Sequence, residues 1–164
     1  MKKAIIIILI VALCACGFHL RGQMELPTSF QNVVIIAPPE GRNLSLALDE
    51  QLQAYHVIQA QSKTDAEFQI IIDNIQFERQ IANISSSTTP RQYQLSYTVK
   101  HHLVDSHGRV LIPNGLVVSN RLVSMNSERL LGSNYEQDFF LHEMELDAAR
   151  QILTTIGHYF AKES

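Results

Sequence analysis

Residues 93–103 read YQLSYTVKHHL, and this stretch decides the fold. Its apolar residues occupy alternate positions, namely Tyr93, Leu95, Tyr97, Val99 and Leu103. A period of two is typical of a β-strand that turns one face to a core and the other face to water. The pattern therefore predicts a sheet with one buried face and one solvated face.

A partner strand is predicted directly after this stretch. The residues Asp105-Ser106-His107-Gly108 are typical of a hairpin turn, because Asp and Gly readily adopt turn conformations. Residues 109–125 then return beside the first strand, with an interruption predicted at Pro113-Asn114-Gly115. The two strands are therefore expected to be antiparallel neighbours.

Two further strands are predicted upstream. Between Phe68 and Ile81 the apolar residues form two alternating sets of opposite parity, so a single long strand needs a bulge near Asp73-Asn74. Phe30 to Ala37 holds a run of aliphatic residues closed by two prolines, which indicates a short buried strand. Residues 84–90 are predicted to form a polar loop.

Two stretches have helical spacing. The first carries apolar residues one helical turn apart, at Leu44, Leu48, Leu52 and Tyr55. The second is predicted to start at a capping box formed by Ser133 and Glu136 and to run to about Phe160. With the strands, they predict an α+β two-layer sandwich: two helices packed on one face of a mixed, mainly antiparallel four-stranded sheet.

The amino end has the order of a secretory signal. Lys2 and Lys3 precede an aliphatic run from Ala4 to Leu13, which is shorter than the roughly 20 residues that a membrane span needs. The residues Leu13-Cys14-Ala15-Cys16 then resemble a lipobox, in which the last cysteine is acylated before cleavage. We therefore predict a cleaved signal peptide at residues 1–15, a lipid anchor and short linker at 16–27, and a single globular α/β domain at 28–164.

The predicted anchor is covalent. Cys16 would carry diacylglycerol and an N-acyl chain, and several acyl chains attach a protein durably where one is marginal. Gly17 stands where an Asp would resemble an inner-membrane retention signal, so the outer membrane is the expected location. With Cys14 removed and Cys16 acylated, the mature chain is expected to have no free thiol and no disulfide.

Positive charge is concentrated in the middle of the chain. The segment from Arg79 to Arg129 holds six basic residues against two acidic ones, a local charge of +4 in an otherwise acidic protein. Two interpretations are equally open on composition: a surface for an anionic partner, which in an envelope need not be nucleic acid, or arginines that only solvate the outer face of a sheet.

Catalytic and metal-binding patterns are not found. His101 and His102 are adjacent on a strand and so point to opposite faces, and His142 lacks a second histidine four residues later. Glu143 and Glu145 are interpreted as a solvated helix face. We therefore expect no metal, no cofactor apart from the acyl chains, no catalytic residue and no enzymatic activity.

A family resemblance supplies a function. Residues 16–22 read CGFHLRG, and a Cys-Gly-aromatic-His-Leu-Arg run after a lipid site resembles the amino terminus of the LptE family, lipoproteins of lipopolysaccharide assembly in the Gram-negative outer membrane. The similarity continues through almost the whole mature chain, at Leu44/Leu48/Leu52, 93–105, Leu130-Leu131-Gly132, Glu136-Gln137, Glu143-Met144 and Asp147-Ala148-Ala149.

The resemblance implies a two-helix, four-stranded architecture and an assembly role. Members of the family plug the LptD β-barrel, support its assembly and bind lipopolysaccharide. Arg91 and Arg121 are the candidate contacts to lipopolysaccharide phosphates, because guanidinium groups bind phosphate bidentately; the competing interpretation is that both face solvent or pair with the barrel wall. The alternative functions are a generic periplasm-facing lipoprotein that braces another envelope complex and, far behind, a surface enzyme.

Overall fold

A computed structural model describes residues 26–83, 91–125 and 130–163. It contains a four-stranded sheet in the order β1-β2-β3-β4 and two α-helices, with the bounds β1 Val33–Ile36, α1 Arg42–Ala54, β2 Phe68–Asn83, β3 Arg91–Asp105, β4 Val110–Met125 and α2 Leu130–Glu163. β1 is parallel to β2, and the other neighbours are antiparallel. The predicted α+β fold with a mixed sheet is confirmed.

The sheet contains the predicted bulge and three further register shifts, one of which lies at the predicted interruption of β4. The β2 register against β3 shifts between Ile72 and Asn74, so Asp73 is the extra residue and both apolar sets of β2 reach the same face. On β4, Pro113 and Asn114 together oppose His102, so the predicted interruption is a bulge within a continuous strand. A proline is tolerated there because β4 is an edge strand.

Both helices cover one face of the sheet. The buried residues of α1 and α2 join those of the strands in one cluster, whose fully buried members include Leu44, Leu48, Leu52, Ile70, Leu95, Leu103, Met144, Ile152, Leu153 and Ile156. Burying one such aliphatic side chain contributes about 1.5–3 kcal/mol. The Gln51 side chain of α1 also donates a 3.0 Å hydrogen bond to the Leu146 carbonyl of α2, which joins the two helices directly.

The predicted start of α2 is wrong. The helix begins at Leu130, so Ser133 lies inside its first turn and cannot act as the N-cap. Leu130 and Leu131 are strong helix formers, and they favour the earlier start. The polar loop predicted at 84–90 and the anchor at Cys16 lie outside the described residues. Among the helices that the structure describes, neither combines the length and apolar character of a membrane span.

Candidate functional site

The two arginines chosen from the sequence lie on adjacent strands. The backbone of Arg91 is opposite Met125, and that of Arg121 is opposite Leu95. The two positions are thus four residues apart along the sheet, about 14 Å at 3.4 Å per residue. They share the end of the sheet that is distant from the β3–β4 hairpin.

A third arginine completes a row across this end. Arg79 on β2 pairs with Leu95 on β3, which pairs with Arg121 on β4. Directly paired residues point to the same face, so Arg79 and Arg121 both lie on the face that α2 covers. They are two strand spacings apart, about 10 Å. We call Arg79, Leu95 and Arg121 the arginine row.

Arg79 is held by two contacts. Its guanidinium carbon lies 5.3 Å from the centroid of the Tyr93 ring, a cation–π arrangement. Its Nη1 donates a 2.7 Å hydrogen bond to Oε1 of Gln137 on α2. These contacts orient the side chain, yet they leave its positive charge without an acidic partner among the described residues.

Arg121 has a partner that an incoming anion can replace. Its Nη2 lies 3.7 Å from Oε2 of Glu143 on α2, and the two side chains are 36% and 39% exposed. A pair in such a position contributes only about 0–1 kcal/mol, since water screens both charges. The arginine row therefore holds two guanidinium groups against one weakly paired carboxylate.

Apolar side chains adjoin these charges. Ile81 on β2 pairs with Tyr93 on β3, one step further along the same face as the arginine row, and Ile81 is 50% exposed. Guanidinium groups bind phosphate through paired hydrogen bonds, and exposed apolar side chains favour hydrocarbon. The arrangement therefore suits an amphiphile whose phosphate groups are separated by about 10 Å or less.

The opposite face of the sheet has a different character. β4 carries three exposed aliphatic side chains there, Leu116, Val118 and Leu122, and their neighbours on β3 are Lys100, Thr98 and Gln94. An apolar stripe on an edge strand is typical of a surface that contacts another molecule. It lies outside the core and is separate from the arginine row.

The histidines form no metal centre in the part of the chain that the structure describes. His101 is buried and His102 is half-buried on the other face, as predicted. The His102 Nδ1 lies 2.8 Å from Oδ2 of Asp73, the bulged residue of β2. Burial lowers the pKa of His101, which therefore favours the neutral ring.

One interpretation of α2 from the sequence is wrong. Glu143 is half-exposed as expected, but Glu145 is buried beneath α1 with 4% of its surface exposed. The Asn43 side chain of α1 lies close enough to this carboxyl to lower its pKa, although burial raises the pKa by more. Docking of α1 widens the buried arc of α2 beyond the predicted apolar row, and this brings Glu145 into the interior.

The model of the family described as LptE, lipopolysaccharide-assembly, matches residues 28–156. The chain belongs to the LptE family. The family resemblance predicted from CGFHLRG and the later motifs is thereby confirmed. No curated protein sequence matches the chain.

Solved structures share the LptE-family fold of this chain. The uncharacterized lipoprotein B of Nitrosomonas europaea is 27% identical and superposes with a TM-score of 0.69, over 88% of this chain and 93% of that one. The minor lipoprotein of Acinetobacter baumannii is 19% identical, with a TM-score of 0.67 over 80% and 94%. The rare lipoprotein B of Shewanella oneidensis is 16% identical, with a TM-score of 0.68 over 80% and 97%.

In this LptE-family chain, the choice of Arg91 and Arg121 stays a prediction, and the structure adds Arg79 as a further candidate beside Arg121. Arg79 was counted in the basic segment but not chosen. The signal that finds it is the bulge at Asp73, because only the corrected register places Arg79 and Arg121 opposite the same residue, Leu95.

Proposed function

We propose that this LptE-family protein is a non-enzymatic part of the lipopolysaccharide transport machinery at the outer membrane. In this proposal it plugs an LptD-type β-barrel, supports the assembly of that barrel and binds lipopolysaccharide. The observation that carries the proposal is the arginine row at the α2-covered face of a chain that the family model matches.

Lipid A is a phosphorylated glycolipid, and its chemistry fits the arginine row. A phosphate can replace the Glu143 carboxylate at Arg121 and can reach the guanidinium of Arg79, which has no acidic partner among the described residues. Arg91 lies about 14 Å further along the same pair of strands and would extend the contact. The acyl chains would follow the exposed apolar residues beyond the row.

Attachment and partner contact are assigned to other parts of the chain. Cys16 would hold the protein in the membrane through its diacylglycerol and N-acyl chain, and the lipoprotein neighbours support this assignment. The exposed stripe of Leu116, Val118 and Leu122 is the surface best suited to the barrel wall. Binding of ligand and binding of barrel would then use opposite faces of one sheet.

Charge reversal tests the ligand contact. The double variant Arg79→Glu/Arg121→Glu of the acylated protein in detergent should bind lipopolysaccharide at least about tenfold more weakly, because each lost charge-assisted hydrogen bond costs roughly 1.5–3 kcal/mol. Arg91→Glu is measured separately. Lys63→Glu makes the same charge change on an exposed loop residue and should leave the affinity unchanged. Equal affinities for the double variant and Lys63→Glu would refute the assignment.

A further inference from the structure

A carboxyl group is buried where α1, α2 and β3 meet. Glu145 on α2 is 4% exposed, and Tyr97 on β3 is 2% exposed. The Asn43 side chain of α1 lies close enough to the Glu145 carboxyl to lower its pKa, against the larger effect of burial. The two helices and the sheet therefore meet at one ionisable side chain.

The hydrogen bonds of this junction are incomplete. The Tyr97 hydroxyl and the Oε2 atom of Glu145 are both buried without a hydrogen-bond partner. A buried polar atom that lacks a partner costs about 1–3 kcal/mol, and more when it is charged. Protonation of Glu145 would therefore lower the cost of leaving Oε2 without a partner.

The charges around Glu145 do not compensate for the cost of burying its ionised carboxylate. His142, one turn earlier on α2, is the basic side chain nearest to it in the described part of the chain, with Nδ1 at 3.9 Å from Oε2, and His142 is 64% exposed. α1 contributes the neutral Asn43 and β3 the neutral Tyr97, while Arg121 of β4 is directed to Glu143. No lysine or arginine pairs with the buried carboxyl among the described residues.

Asp147, two residues further along α2, lies on the side of the helix that faces β4. Its Oδ2 accepts a 3.0 Å hydrogen bond from Ser119 of β4. Burial accordingly raises the pKa of Glu145, and the opposing effects of His142 and Asn43 are smaller. Burial, and then the Glu145 charge, raises the pKa of Tyr97 as well, so Tyr97 stays neutral.

We propose that Glu145 is a proton-dependent latch: its neutral carboxyl holds α1 and α2 together on the sheet, and its ionisation loosens α1. In the unfolded chain Glu145 titrates near its ordinary pKa of about 4.3. Its folded pKa is higher, so its contribution to stability is complete below the unfolded value and is lost as pH rises through the folded value. The latch thus weakens as pH rises.

The test compares Glu145→Gln with Glu143→Gln in the full acylated chain in detergent micelles. Gln keeps the shape of the side chain and mimics the neutral carboxyl, while Glu143 is half-exposed on the same helix. Urea-unfolding midpoints are measured from pH 5 to pH 8. The midpoint of Glu145→Gln should rise relative to wild type as pH increases, whereas the difference between Glu143→Gln and wild type should stay constant. A difference for Glu145→Gln that does not grow with pH would overturn the proposal.

Hydrogen exchange shows where the loosening occurs. At pH 8 the amides of α1 should exchange more slowly in Glu145→Gln than in wild type, by about tenfold for each unit by which the pKa is raised, while those of the β2–β3 pairing stay equal. Equal exchange in α1 would contradict the latch. If the variant does not fold, the pKa of Glu145 is measured in the wild-type protein from the pH titration of its ¹³C carboxyl resonance. A midpoint at or below the ordinary pKa of a glutamate would refute the proposal.

Discussion

Gly115 lies against a buried ring, so the change Gly115→Ala is a sharp test of the sheet geometry. A Cβ atom at position 115 would overlap three ring atoms of His101, the residue directly opposite on β3. The ring is 1% exposed, so it is packed inside the protein and can move only by displacing its neighbours or entering the adjoining cavity. The methyl group must therefore displace either the imidazole or the β4 backbone beside the bulge.

The expected cost follows from this overlap. Forcing a methyl group into a packed site costs about 1–3 kcal/mol. For a domain of about 150 residues, each kcal/mol lowers Tm by roughly 2–4 °C, so a fall of about 2–12 °C is expected. Gly115 is buried and has no unusual φ angle, so loss of backbone freedom is not the cause.

Urea unfolding of Gly115→Ala, His101→Ala and the double variant separates the overlap from other effects. Removing the ring should abolish most of the penalty at position 115, which gives a coupling of about 0.5–3 kcal/mol between the two sites. A Gly115→Ala protein as stable as wild type would refute the predicted overlap. Additive effects in the double variant would show that the ring is not the obstacle.

Two further changes test other parts of the fold. Phe30→Ala should lower the free energy of unfolding by about 3–5 kcal/mol, because Phe30 is fully buried. Its ring centroid lies 5.0 Å from that of Phe68 and 5.5 Å from that of Phe160. Urea unfolding measures the loss, and a loss under about 1 kcal/mol would contradict the prediction. Asp105→Asn should destabilise the β3–β4 hairpin above pH 4, because the backbone N–H of Arg109 lowers the pKa of Asp105. The stability that the carboxylate contributes is lost only as pH falls through this lowered pKa. Amide hydrogen exchange of the hairpin near pH 6 measures the effect, and exchange at the wild-type rate would contradict the prediction.

The parts of the fold that sequence predicts well depend on neighbouring residues. Alternation from Tyr93 to Leu103, the turn at Asp105 to Gly108 and the parity change at Asp73 each follow from local geometry, and all three are present in the structure. The start of α2 was missed because the Ser133 and Glu136 pair is a short pattern that also occurs inside helices.

The site depends on distant residues, and this limits its prediction. Arg79 and Arg121 are far apart in sequence and become a pair only through the register of three strands. The burial of Glu145 depends on where α1 docks, which the periodicity of α2 alone does not determine. Arg121 was selected on the family resemblance and the chemistry of arginine, and its role as a contact stays a prediction.

Affinity purification of the acylated protein from detergent-solubilised outer membranes tests the central claim most directly. The account predicts that a β-barrel protein co-purifies in equal amount, together with lipopolysaccharide. It also predicts that this lipopolysaccharide is reduced in the Arg79→Glu/Arg121→Glu variant while the barrel is retained. Recovery of the protein alone, or with an unrelated envelope complex, would contradict the account.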